Sequence, residues 1–154
     1  MTPEEHIQVS VRSIVSETET VKTYDLCRLD GALLPGFSPG AHVDLYLANG
    51  LVRSYSLLNP HPTPESYLVA VDLAAESRGG SRWIHTSLQV GDMLSISRPR
   101  NNFPLQVDAP HSVLIAGGIG ITPLLAMSKC LEQNGKSWEL HYCARNPARA
   151  PFLS

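Results

Sequence analysis

Val113-Leu114-Ile115-Ala116-Gly117-Gly118-Ile119-Gly120-Ile121-Thr122-Pro123 marks the point where the pattern of the sequence changes. Its first four residues are a continuous apolar run, as expected of a parallel strand buried on both faces. Glycines follow. Then Ile121, Leu124, Leu125 and Leu131, with small Ser128 among them, mark one face of a helix that stops at Asn134-Gly135. Trp138 to Ala144 reads as a second strand. Strand, glycine turn, helix and strand make the opening β-α-β unit of a doubly wound sheet. Two parallel strands have too little core to stand alone, so the sequence reads as a fragment or an unusually short gene product.

Upstream, the period is two. Ile7, Val9 and Val11 alternate with polar neighbours, and so do Val43, Leu45 and Leu47, then Val69, Val71 and Leu73, then Leu94 and Ile96. Turn signals separate the runs at Leu33-Leu34-Pro35-Gly36, Ser38-Pro39-Gly40, Asn49-Gly50 and Asn59-Pro60-His61-Pro62. Asn49-Gly50 between two strand-like runs predicts a hairpin with a type I′ turn. About six antiparallel strands in this stretch predict a small barrel or sandwich. Residues 78–88 break the alternation, and Trp83, Ile84 and Leu88 fall at helical spacing, so a short inserted helix is expected to open near Ser81. Asn101-Asn102-Phe103-Pro104 and Asp108-Ala109-Pro110 bracket a linker. The expected architecture is a six-stranded antiparallel Greek-key barrel over residues 1–105, followed over residues 106–154 by the first β-α-β unit of a nucleotide-binding domain.

The chain has 154 residues, 43% hydrophobic and 17% charged, with 12 basic and 14 acidic side chains giving a net charge of -2. No basic excess points to nucleic acid. Cys27, Cys130 and Cys143 are far apart and lack metal or redox spacing, which leaves them packing roles in a reducing compartment. No histidine pair has metal-ligand spacing. The start carries no secretory pattern and no apolar run is long enough for a membrane span, so a cytoplasmic location and no membrane partner are expected.

Three motifs could carry chemistry. In Arg53-Ser54-Tyr55-Ser56, strand alternation sends Arg53 and Tyr55 to one face and Ser54 and Ser56 to the other. The guanidinium fork suits phosphate oxygens, tyrosine offers a face to a heterocycle, and the serines offer hydroxyls. The bland reading is an ordinary strand with an exposed arginine. In Arg78-Gly79-Gly80-Ser81-Arg82, paired glycines let successive N–H groups converge at a helix N-terminus. Ser81 is expected to cap that helix or to donate to phosphate. The bland reading is a flexible loop. In residues 117–123, glycines permit close approach of a diphosphate and Pro123 fits the first helical turn. This is neither a Walker loop nor the Gly-x-Gly-x-x-Gly of the dinucleotide fold.

Together and in this order, RSYS, RGGS and GGIGITP resemble the ferredoxin reductase-like flavoproteins, and within them the phthalate dioxygenase reductase family with its vanillate O-demethylase reductases. The resemblance runs from about residue 6 to the end. It implies that Arg53 holds a flavin phosphate, with Gly79, Gly80 and Ser81 completing the cradle. Ser54 belongs to the same implied set, Tyr55 would pack on the isoalloxazine and Ser56 would lie near the reactive ring nitrogen. Val71 and Asp72 would line the ring edge. Gly118, Gly120, Thr122 and Pro123 would face a nicotinamide nucleotide, and Arg145 is open between nucleotide contact and solvent. The resemblance further implies hydride transfer from NAD(P)H to flavin and single-electron delivery to a 2Fe-2S centre. That centre is expected in a domain C-terminal to this sequence, which has no C-x₄-C-x₂-C set of its own. The partner would be the oxygenase component of an aromatic-ring oxygenase or O-demethylase system.

The second motif favours FMN, because no later aromatic position is evident to stack an adenine; FAD is the alternative. Two other readings stay open: a non-catalytic barrel that binds a partner or small anion, and an inactive flavin-binding fragment. A bare β-α-β unit also exposes a sheet edge and an apolar helix face, which invites a dimer.

Overall fold

Among residues 5–153, which a computed structural model of the chain describes, six strands form one antiparallel sheet and two more form a parallel pair. The first sheet contains β1 (Ile7–Ser16), β2 (Val21–Arg28), β3 (His42–Tyr46), β4 (Val52–Ser56), β5 (Ser66–Asp72) and β6 (Met93–Ile96), in the spatial order β4-β3-β6-β1-β2-β5. An antiparallel bridge from Leu57 to Val69 joins the two end strands and closes the sheet into a barrel. The alternating residues fill it: Val9, Val43, Val69, Val71 and Ile96 are fully buried, and Leu73 alone of the expected inward set is only half-buried. Helix α1 (Gly80–Ser87) packs Ile84 into the same core, joined by Leu88 just past its C-terminus. There the buried Tyr24 hydroxyl donates to the Ile84 carbonyl at 3.2 Å.

Strand β2 is not among the runs that alternation reveals. Thr23, Tyr24, Asp25 and Leu26 are buried consecutively, which erases period two. Asp25 tolerates burial because Arg12 donates to its Oδ2 from Nε at 2.8 Å. Arg12 is the extra residue where the β1–β2 register shifts between Val11 and Ser13, and this bulge directs its side chain across the sheet.

The hairpin between β3 and β4 forms at Asn49-Gly50, but not with the type I′ turn. Gly50 alone takes positive φ, 85°, while Gly50 N–H donates to the Leu47 carbonyl and Leu47 N–H to that of Leu51. This is a three-residue loop, a type I turn followed by a left-handed glycine.

The second unit is β7 (His111–Gly117), a 3₁₀ turn (Gly118–Gly120), α2 (Ile121–Gln133) and β8 (Ser137–Cys143), with β7 and β8 parallel from the His111–Ser137 pair to the Gly117–Cys143 pair. The expectation of a strand buried on both faces is wrong. Leu114 and Ala116 are buried beneath α2, whereas Val113 and Ile115 are 51% and 71% exposed. The reason is geometric: α2 covers one face and no element of the described chain covers the other. The unit rests on the barrel through Ile119, Leu125 and Phe152, which pack on Val21, Leu58 and Ala70.

Candidate functional site

Strand β4 sets the first part of the site. Arg53 and Tyr55 stand opposite Leu45 and Val43 of β3, both buried, so both side chains leave β4 on its inner side. The opening glycine of α1 comes up against Arg53. Tyr55 packs against the core, and its burial pushes the hydroxyl up to about 12 despite the lowering influence of Arg53. Ser56 is half-buried opposite His42.

The second motif meets the first directly. Gly79 has φ 100° and caps α1 in the left-handed region, where glycine alone is unstrained. Gly80 lies under the Arg53 arm: a β-carbon there would come within 2.4 Å of Arg53 Nε and 2.7 Å of its Cγ. The guanidinium donates from Nη1 to the Val52 carbonyl at 2.8 Å. Arg53 and the opening turn of α1, where the Gly80 and Ser81 N–H groups point outward from the helix end, therefore form one electropositive corner. Ser81 does not cap the helix. Its hydroxyl donates to Ser77 Oγ at 3.1 Å and accepts from Ala74 N–H. Ser77 takes the capping work, accepting from Gly79 N–H and Arg82 N–H, because it lies outside the helix while Ser81 is already inside it.

Ser54 is turned away from this corner. Its hydroxyl donates to Asp44 Oδ1 on the outer face, where Arg100 Nη2 donates to Oδ2 of the same carboxylate. Burial raises the Asp44 carboxyl, but these two hydrogen bonds and the Arg100 charge outweigh it and hold Asp44 below its ordinary value. Val71 is fully buried, and its carbonyl contacts His85 Nε2 of α1 at 2.8 Å.

A cleft of about 1050 Å³ lies between barrel and β-α-β unit. Asp72, Gly118 and Arg145 share it with Arg82, Arg149 and Cys143. Three guanidinium groups against one carboxylate make it favourable to an anion. A β-carbon on Gly117, Gly118 or Gly120 would meet nothing within 4 Å, so the glycine turn faces open space. Thr122 is buried under that turn, its hydroxyl donating to the Ile119 carbonyl at 3.1 Å, and Pro123 is half-buried in the first turn of α2. Arg149 went unread in the sequence. It stands on a 3₁₀ turn, Pro147–Arg149, closed by Asn146, whose side chain accepts from Ala148 N–H; the Asn-Pro pair after a strand was the available signal. The packing role expected for the cysteines fails at Cys143, which is exposed at the end of β8.

No protein-family model matches the chain. Its architecture is that of the ferredoxin reductase-like proteins. The structure of phthalate dioxygenase reductase, described as modular for electron transfer from pyridine nucleotides to 2Fe-2S, superposes with a TM-score of 0.92 at 35% identity, covering 96% of this chain and 46% of that one. Tetrachlorobenzoquinone reductase of Sphingobium chlorophenolicum is 47% identical over 143 residues, 93% of this chain and 44% of that protein. Vanillate O-demethylase oxidoreductase of Pseudomonas putida is 46% identical over 147 residues, again 96% of this chain and 46% of the relative. Over the length it spans, the chain is similar to the phthalate dioxygenase reductase and the vanillate O-demethylase reductases. It spans slightly less than half the length of these relatives.

Proposed function

We propose that the chain is the flavin-binding portion of a reductase that takes electrons from NAD(P)H and hands them to an iron–sulfur centre serving an oxygenase. The observation that carries this reading is the Arg53–Gly80 corner: a glycine that leaves room for an arginine arm, at the N-terminus of a helix, is a cradle for a phosphate monoester. The flavin we propose is FMN, whose single phosphate matches one such corner. When bound, it would accept a hydride from nicotinamide and release electrons singly.

The residues present fit that group. Arg53 and the N–H groups of Gly80 and Ser81 would hold the phosphate, and Gly79 supplies the left-handed turn that aims them. Tyr55, neutral at physiological pH, offers its ring as a platform; Ser56 shares the outward face of Ser54, so its backbone N–H rather than its hydroxyl would lie beside that ring. Asp72 reaches the cleft from the end of β5, and Gly118 and Gly120 leave open the side from which a nicotinamide would approach. Thr122 and Pro123 shape that turn from beneath. Arg145 and Arg149 would attract the nucleotide's phosphates.

In this reading residues 1–105 are the flavin unit and 106–154 begin the nucleotide-binding one. The 2Fe-2S centre and the contact with an aromatic-ring oxygenase or O-demethylase belong to the longer protein. Among the described residues no helix is long and apolar enough to cross a membrane, and we keep a cytoplasmic location as part of the proposal. Pairing of two copies through the uncovered β7-β8 face is also proposed, and light scattering at high concentration checks it. Anaerobic addition of NADH or NADPH to the FMN-loaded chain tests the functional reading. Bleaching of the flavin absorbance supports it, and FMN that is bound but untouched by either nucleotide leaves the chain a flavin-binding module only.

A further inference from the structure

We infer that Asp44 is a positioning residue for the flavin strand and that Ser54 acts through it rather than as a ligand, an inference that rests on the flavin reading above. Asp44 sits in the middle of β3, and its carboxylate reaches across both neighbouring stretches of chain. Oδ1 accepts from Ser54 of β4, and Oδ2 accepts from Arg100, which follows β6. The Asp44 backbone is held as well: its N–H donates to Ser97 Oγ at 2.9 Å and its carbonyl accepts from Ser97 N–H at 3.0 Å. Arg100 is itself locked to β3 by two backbone hydrogen bonds with His42, at 2.8 and 3.0 Å. One carboxylate, 9% exposed, thus ties the motif strand to the point where the chain leaves the barrel for the second unit.

The consequence follows from strand geometry. Ser54 lies between Arg53 and Tyr55, and successive side chains point to opposite faces. Fixing Ser54 on the outer face fixes the directions in which Arg53 and Tyr55 leave on the inner one. Asp44 touches neither of them, and Ser54 is on the wrong side of β4 to reach a group held by the Arg53–Gly80 corner. A plain stabilising role would show as a loss of melting temperature alone. A positioning role shows in the flavin itself, because a stacked tyrosine quenches flavin fluorescence and a misdirected one does not.

The experiment compares the whole chain with Asp44→Asn, Ser54→Ala, Ser54→Thr and Arg12→Gln by melting temperature, FMN affinity and fluorescence of bound FMN. Arg12→Gln breaks an ion pair elsewhere in the barrel and reports the effect of destabilisation alone. Asp44→Asn and Ser54→Ala are expected to weaken FMN about tenfold, as loss of one charge-assisted hydrogen bond would, and to recover part of the quenched fluorescence. Ser54→Thr keeps the hydroxyl and restores both, and Arg12→Gln lowers the melting temperature with FMN fluorescence unchanged. Wild-type affinity and quenching in Asp44→Asn overturn the inference, and weakened binding in Ser54→Ala alone makes Ser54 a direct ligand. A wild-type chain that takes up no FMN removes the flavin reading and this inference with it; ordinary binding by wild type and Asp44→Asn alike removes only the inference.

Discussion

The side chain of Arg53 lies across the backbone of Gly80, so near that a β-carbon on Gly80 would fall 2.4 Å from its Nε. Gly80 has no positive φ, so alanine is allowed by its backbone and favoured over glycine in a helix by about 1 kcal/mol. Gly80→Ala is therefore expected to leave the melting temperature near wild type while displacing Arg53 and weakening FMN about tenfold or more, roughly 1.4 kcal/mol. Paired thermal and FMN titrations check it. Unchanged affinity would mean that Arg53 does not need its present path.

The phosphate role proposed for Arg53 has its own signature. Arg53→Gln is expected to cost FMN about 1.5–3 kcal/mol, the worth of a hydrogen bond to a charged group, and to leave riboflavin, which lacks the phosphate, almost unaffected. Fluorescence titration with both ligands separates the two. Equal losses would place Arg53 at the ring instead.

The two faces of β7 should respond oppositely to substitution. Leu114 is buried under α2, so Leu114→Ala is expected to destabilise by about 2–5 kcal/mol. Ile115, one residue on, is 71% exposed, and Ile115→Thr should change stability by less than about 0.5 kcal/mol. Denaturant melts of both variants test the one-sided burial, and a large cost at Ile115 would indicate that something covers that face in solution.

Alkaline titration reports on the barrel. Burial raises the Tyr24 and Tyr55 hydroxyls from 10.0 to about 12, and raises Tyr67 as well. Because the folded state prefers the neutral phenol, its contribution is fully present below pH 10 and lost as pH rises from 10 through about 12. Stability is expected to fall across that window, with phenolate absorbance of these residues appearing only as the barrel opens. Tyr55→Phe should make the fall shallower.

How far the fold could be read depended on whether burial followed a period. Val43 and Leu45 alternate because β3 has one face in the core and one outside, and that pattern survives in the sequence. Strand β2 left no such trace, since Thr23 to Leu26 are buried in succession and the Arg12 contact that permits Asp25 there comes from another strand. The apolar run at Val113–Ala116 was ambiguous for the opposite reason: it is compatible with one covered face or two, and only the packing of α2 decides. At the site, RSYS and RGGS were legible as motifs, but not that Gly80 makes room for Arg53, nor that Ser54 faces Asp44. The first depends on how α1 seats against β4, and the second on the exact register that the three-residue hairpin loop gives β3 and β4. For Arg149 the sequence offers only the Asn146-Pro147 turn signal, and it takes the folded cleft to bring the side chain near Arg82 and Arg145.

The most direct test of the central claim is the visible absorbance of the purified chain after incubation with FMN and removal of the unbound flavin. A retained flavin spectrum, near one equivalent, is expected, and Arg53→Gln is expected to diminish it. A colourless protein that retains no flavin would contradict it, leaving a barrel of ferredoxin reductase-like fold that takes up no flavin.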